Sequence, residues 1–349
     1  MNKYSSFLIL IAIVLIWSCE EQETNNKVSS YLAGEGIFII NEGLFNQANS
    51  SVYFYHFGKD SMYPDIFQIA NNENIGDILQ SMQISGDKAY LVVNNSGLVR
   101  KVNIPDFKLI KTTSGLVSPR QMIKISDSKA YISDIFDDKI NVYSLHEDKI
   151  TGQIKTGRWV ENFAMNDKQL FASCPWAFGK PVSKWVYVID YEKDKVTDSI
   201  KTGISPAQVA IDKNGFLWTL CIGNSYDGIK GSLFKTEIKT LKNTDSLHFD
   251  EVLNIFNSGM QLNQSKDTLY VMYNDVIKIP VSGKIVPETI IKRQNENFYG
   301  LGIDNKRHLL YVTDALNFAE KGNVYVFSKK GILLKTLSAG FLPNMVIPY

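Results

Sequence analysis

The sequence predicts an all-β fold, a seven-bladed β-propeller of four-stranded antiparallel blades, closed by a C-terminal strand that completes the first blade. Three observations carry this prediction. The chain repeats itself with a period of roughly 40 residues, the range of propeller blades. Each repeat holds four short runs rich in β-branched and aromatic residues, parted by Asp, Asn, Gly and Lys turns, which is the pattern of an antiparallel meander. The first repeat lacks one strand, and the last residues supply a strand that no repeat claims.

Taken in order, residues 1–18 read as an export signal. Lys3 precedes the apolar run from Phe7 to Trp17, well short of the roughly 20 residues that a membrane-spanning helix needs. The stretch "LIWSC" resembles a bacterial lipobox, with Ile16 and Ser18 three and one positions before Cys19. That resemblance implies cleavage before Cys19 and its lipidation, an anchor without a transmembrane helix. An ordinary secretory signal with an incidental cysteine is the alternative. Residues 19–30 open on the acidic "EEQE" from Glu20 and read as a flexible tether. The acidic run resembles the signal that sends some lipoproteins to the outer face of an outer membrane. The propeller takes residues 31–349.

Within it, "GIFIINEG", "SSVYFYHF" and "DIFQIAN" read as the second, third and fourth strands of a blade whose innermost strand is missing. Six complete repeats follow, starting at Ile78, Ser118, Val160, Ser205, Ser258 and Tyr299. The closing "LPNMVIPY" matches the missing piece, because Pro343 and Met345 align with the Pro and apolar residues of "SPRQMI" and "SPAQVA". A linear solenoid of seven sheets would leave the first repeat unfinished and its strand edges open.

"LYVTD" at Leu310, "AYISDIFDDKINVYSL" from Ala130, and the "SPxQ" and "KTG" punctuation together resemble the YVTN-type seven-bladed propeller repeat. The resemblance covers nearly all of the chain after the tether. It implies a fold and leaves the site open, since one scaffold hosts many functions.

Composition narrows the partners. Lys and Arg number 37 against 36 Asp and Glu, so nothing in the charge points to nucleic acid. Cys174 and Cys221 read either as a bridge or as buried free thiols. His56, His146, His248 and His308 show no metal-ligand spacing, and there is no nucleophile elbow or phosphate-binding loop. No cofactor is expected.

The loops joining second to third strands, and those leading into each innermost strand, are expected to share one face around the central channel. They bring together the aromatics Trp159, Trp176, Phe178, Tyr226, Phe298 and Tyr299 with Asn41, Arg120, Gln121, Arg158, Asn162, Gln208, Gln261 and Asn344. Aromatic anchors among amides and Arg describe a surface for a large, polar, partly flat ligand or for a protein. Asn and Gly also serve turns, and a loop Trp also caps a blade core. Two further readings stay open. Glu42, Asn162 and Asp314 would be the metal ligands of a propeller hydrolase, and "DIFDDKIN" is either a calcium loop or a solvated turn.

The lipobox, the acidic tether, the opening "IFIINEGLFNQANSSVYFY" from Ile37 and the YVTN-like ring together resemble the BtuG-type surface lipoproteins. That resemblance implies a non-catalytic propeller that captures cobalamin or a related corrinoid and passes it to a TonB-dependent transporter of the outer membrane. A structural or adhesive propeller that binds a protein or glycan is the rival from another class.

Overall fold

The computed structural model describes residues 27–176, 181–253 and 259–349. Its strands form seven four-stranded antiparallel sheets arranged as a β-propeller. Blade 1 is assembled from both ends of the chain: β1 (Gly36–Asn41), β2 (Ser51–His56) and β3 (Ser61–Tyr63) are joined by β28 (Pro343–Pro348), which lies innermost against β1. Ile37 pairs with Pro348, Ile39 with Val346 and Ile40 with Met345. The other blades run in sequence from their innermost strands, β4 (Leu79–Ser85), β8 (Pro119–Lys124), β12 (Phe163–Met165), β16 (Pro206–Ile211), β20 (Met260–Leu262) and β24 (Phe298–Asp304). Each begins within three residues of the repeat start read from the sequence.

One element of the sequence reading is overturned. "DIFQIAN" is not the outer strand of blade 1 but a helix, α2 (Ile66–Asn71), and the outer strand is the three-residue β3 that precedes it. Pro64 removes the backbone donor that a longer strand would use, and Asp65 turns the chain through the left-handed region at φ 49°. Ile66, Phe67 and Ala70 then fall on one face and are buried, which is the spacing of a helix docking on a core. A second helical turn, α1 at 27–32, buries Val28 and Leu32 in the same cluster. Packed structure therefore reaches into residues that the sequence reading gives to the tether.

The core is divided among the junctions. Seven apolar clusters occur among the described residues, each between two neighbouring blades. Strand alternation explains how one strand feeds two of them. Ile37 and Ile39 face blade 7, whereas Phe38 and Ile40 face blade 2. All six residues of β1 are thus buried, while outer strands such as β11 (Lys149–Lys155) alternate with solvent. An aromatic residue recurs at one register in every second strand: Phe38, Tyr90, Tyr131, Phe171, Trp218, Tyr270 and Tyr311, all buried. Each wedges against the following blade, and together they set the spacing of the ring.

Innermost strands share a further device. In β4, β8, β16, β24 and β28 the pairing slips at the same point, where a bulge adds a residue: Gln80, Arg120, Ala207, Tyr299 and Asn344. A bulge re-aims its side chain. Glu161, just ahead of β12, donates its N–H to the Ser173 carbonyl and holds the equivalent place in blade 4.

Candidate functional site

These re-aimed residues meet at the mouth of the channel. Tyr299 donates to Glu42 Oε2 at 2.7 Å, and Asn344 Nδ2 donates to Glu42 Oε1 at 2.9 Å. Asn344 also bonds the Gln80 carbonyl at 2.9 Å, while Gln80 Nε2 reaches Glu42 Oε1 at 3.4 Å. Arg120 then joins Gln80 on one side to Glu161 on the other, its Nε lying 2.8 and 3.0 Å from the two carboxylate oxygens. One hydrogen-bonded chain therefore spans blades 7, 1, 2, 3 and 4.

The site is electrostatically tight. Burial holds the Glu161 carboxyl above its ordinary range, Arg120 pulls it back, and the charge of Glu42 pushes it up again. Burial and the same Glu42 raise the Tyr299 phenol, so it stays a donor. Arg120 pairs with one buried carboxylate, Glu161, and is tied to the other, Glu42, through Gln80, an arrangement that holds only while all of its bonds are made.

Blades 5 and 6 break the pattern. Ala207 stands where the others carry a polar side chain. Beside it Gln208 is 3 % exposed, and neither polar atom of its side-chain amide has a hydrogen-bond partner. Asn162 and Gln261, by contrast, stitch their blades to the next, accepting from Val209 N–H at 3.2 Å and donating to the Leu301 carbonyl at 2.6 Å. An unbonded buried amide is costly in a folded chain.

Above this ring the two expected loop sets do share a face. Asn94 of one set donates to Ser118 Oγ of the other at 2.8 Å, and Trp176 N–H to Ser205 Oγ at 3.0 Å. Arg158 reaches the Pro181 carbonyl at 3.4 Å, and Asn297 bonds the Leu316 carbonyl. Aromatic pairs follow the same seams: Phe136 with Trp159 at 4.9 Å, Trp176 with Tyr226 at 5.7 Å, and Tyr299 with Phe318 at 5.9 Å between ring centroids. The exposed members are Tyr226 (77 %), Phe45 (65 %), Phe136 (60 %) and Phe318 (43 %), each on a loop between second and third strands. Phe318 sits at φ 62° and Leu316 at φ 48°, a strained backbone for bulky residues of the kind that gathers at functional loops. A small cleft of about 100 Å³ opens among Tyr273, Arg293, Phe298, Tyr299 and Phe318.

The expected site residues divide accordingly. Trp159, Trp176, Tyr226, Arg158, Phe298 and Tyr299 lie on or beside the loop face, and Tyr299 links it to the ring below with Arg120 and Asn344. Asn41 is fully buried and spends its amide on Ser51 and on the Gly340 N–H. Gln121 pairs with Ser133 through its backbone. Phe178 and Cys19 lie outside the described residues. Sequence reasoning misses Gln80, Glu161, Phe45, Phe136 and Phe318. The first two are readable only by placing every repeat on the residue after the Pro of "SPxQ".

Cys174 and Cys221 are free and buried, and burial pushes the Cys221 thiol up to about 12. Among the described residues no group of three His, Cys, Asp or Glu is placed to hold a metal ion. Asp314 accepts the N–H groups of Asn297 and Leu316, and Asp134 of "DIFDDKIN" accepts those of Val117, Ser118 and Phe136. Both carboxylates brace their own loops. No helix among the described residues is long and apolar enough to cross a membrane.

Across residues 35–339 the sequence matches the family described as Domain of unknown function (DUF5074). The chain belongs to this family. No curated protein is a match. Among solved structures this DUF5074 chain is similar to a quinonprotein alcohol dehydrogenase-like protein from Bacteroides thetaiotaomicron, with TM-score 0.69 and 13 % identity over 90 % of this chain and 78 % of that one. It is also similar to the hydrazine synthase of Kuenenia stuttgartiensis, with TM-score 0.62 and 15 % identity over 77 % of this chain and 94 % of that one. At such identity the likeness establishes the fold alone.

Proposed function

We propose that this DUF5074 propeller is a non-catalytic surface lipoprotein that captures a large, polar, partly flat ligand on its loop face. Cobalamin or a related corrinoid is the ligand class we assign, and a TonB-dependent transporter of the outer membrane is the acceptor. The reading rests on one observation: exposed aromatics stand on one face of the ring, at blades 1, 3, 5 and 7. Solvent-exposed rings on a rigid scaffold are what a binding surface uses as anchors. Flat corrin faces and a nucleotide base suit such walls, and corrin amides suit Arg158, which lies on the loop face beside Pro181. The lipid anchor at Cys19 and the acidic tether support a place on the cell surface.

Isothermal titration with cyanocobalamin tests the reading. One saturable site is expected, with Trp176→Ala and Trp159→Ala each weakening it at least about tenfold, the scale of an aromatic hot spot, while the melting temperature holds. No saturable heat, or full affinity in both variants, removes the corrinoid assignment.

A further inference from the structure

The far face, opposite the loops, carries a second feature. In every blade the turn between third and fourth strands holds one residue in the left-handed region: Asp60, Phe107, Asp148, Asp194, Leu241, Gly283 and Gly331. Six of these close the junction with the preceding blade. Lys335 bonds Asp60, Lys101 pairs with Asp148 at 2.9 Å, and Lys129 pairs with Asp194 at 2.8 Å with Tyr131 beside it. Lys235 donates to the Gly283 carbonyl at 3.1 Å, Phe107 packs on Phe38 at 5.7 Å, and Gly331 sits so close to the Ile290 carbonyl that a Cβ would collide with it.

The junction between blades 4 and 5 lacks the Lys–Asp pair of the preceding junction on both sides at once. Where blade 3 carries Lys129 and Tyr131, blade 4 has Gln169 and Phe171, and where blade 4 offers Asp194, blade 5 offers Leu241. Leu241 instead packs against the apolar cluster shared by blades 4 and 5 and lines the rim of the cleft beside it. Outside that contact a cleft of about 790 Å³ opens, lined by Asn166, Lys168, Gln169 and Asp190 of blade 4 and by Asn214, Phe216, Glu237 and Lys239 of blade 5. Its size falls within the range of small-molecule sites.

We propose that this far-face cleft is a second ligand site, separate from the loop face, and that it takes a neutral, hydroxyl-rich ligand of the saccharide class. The charges decide against an ion: Lys168 and Lys239 are matched by Asp190 and Glu237. Both carboxylates are also engaged locally, Asp190 with Lys193 at 2.7 Å and Glu237 with the Thr240 hydroxyl at 2.7 Å. What the cleft offers is the amides of Gln169 and Asn214 and the Nδ2 of Asn166, whose Oδ1 accepts from the Lys168 and Gln169 N–H groups; together they mix donors with acceptors as hydroxyl groups require. Phe216 supplies a ring for the apolar face of a sugar, steadied by Lys235 4.7 Å from its centroid.

The test titrates the full chain with cellohexaose, maltohexaose, mannohexaose and xylohexaose at millimolar concentration. At least one is expected to bind saturably at one site. Gln169→Ala combined with Asn214→Ala should weaken it about tenfold, the effect of losing two ordinary hydrogen bonds. Gln169→Lys combined with Leu241→Asp rebuilds the latch of the preceding junction and should abolish binding without lowering the melting temperature. Failure of all four sugars to bind overturns the proposal, as does undiminished affinity in both double variants with their melting temperatures intact.

Discussion

The channel mouth has two unlike arcs. From blade 7 through blade 4 the bulged position carries Tyr299, Asn344, Gln80, Arg120 and Glu161, joined through Glu42 into one buried chain of hydrogen bonds. At blade 5 the same position is Ala207, and the adjoining Gln208 is buried with its amide unbonded. The same backbone device thus serves two ends. Filled with polar side chains it fastens five blades to one another, and left as alanine it keeps a buried donor and acceptor available.

Removing the guanidinium should break this contrast most severely. Arg120→Leu leaves Glu161 buried without its cation and removes the guanidinium bond to Gln80, and a loss of about 3–5 kcal/mol is expected in urea melts at neutral pH. The pH dependence follows from the raised Glu161 carboxyl, whose ordinary value is 4.5. A carboxyl with a raised folded pKa contributes its stability below that ordinary value and loses it as pH rises through the folded one. Arg120 pulls that carboxyl down, so without it the folded value rises further and the variant gains more than the wild type as pH falls. Its deficit should shrink in acid, and a deficit that grows in acid would contradict the assignment. Tyr299→Phe removes one bond to a charged partner, and about 1.5–3 kcal/mol should go with it. The open arc should respond in the opposite direction. Gln208→Met replaces an unbonded amide with an unbranched apolar chain of similar length, and stability should hold or rise by up to about 1 kcal/mol. A clear loss there would mean that the amide is bonded after all and that the two arcs are alike.

The fold was legible because blade repetition writes each strand several times over. "SPRQMI", "SPAQVA" and "LPNMVI" state the innermost strand in three copies, and the closure of blade 1 follows from the one copy out of place. The α2 segment had no such copies. "DIFQIAN" is apolar enough for a strand, and its helical form depends on the turn at Asp65 and on the cluster of Phe38, Ile40 and Phe54 it docks against. The loop face was legible as a region, from Trp159, Trp176 and Tyr226, but not residue by residue. Asn41 looks like a ligand-facing amide in the sequence, yet the structure ties it to Ser51 and Gly340. Of the polar ring, Arg120, Tyr299 and Asn344 were legible as candidates, but Gln80 and Glu161 and the bonds that join all five were not, because a bulge leaves no mark in a pattern of apolar and polar residues.

The clasp between β1 and β28 sets an order of events during synthesis. Ile37 to Ile40, wholly buried in the finished ring, lies at the beginning of the propeller, yet its inner neighbour is made of residues 343–348. Contacts so distant in sequence form late. Until they form, one edge of the most apolar strand in blade 1 stays open to other chains. The interval between the making of β1 and the docking of β28 is thus the time when a new propeller is most open to aggregation through that edge.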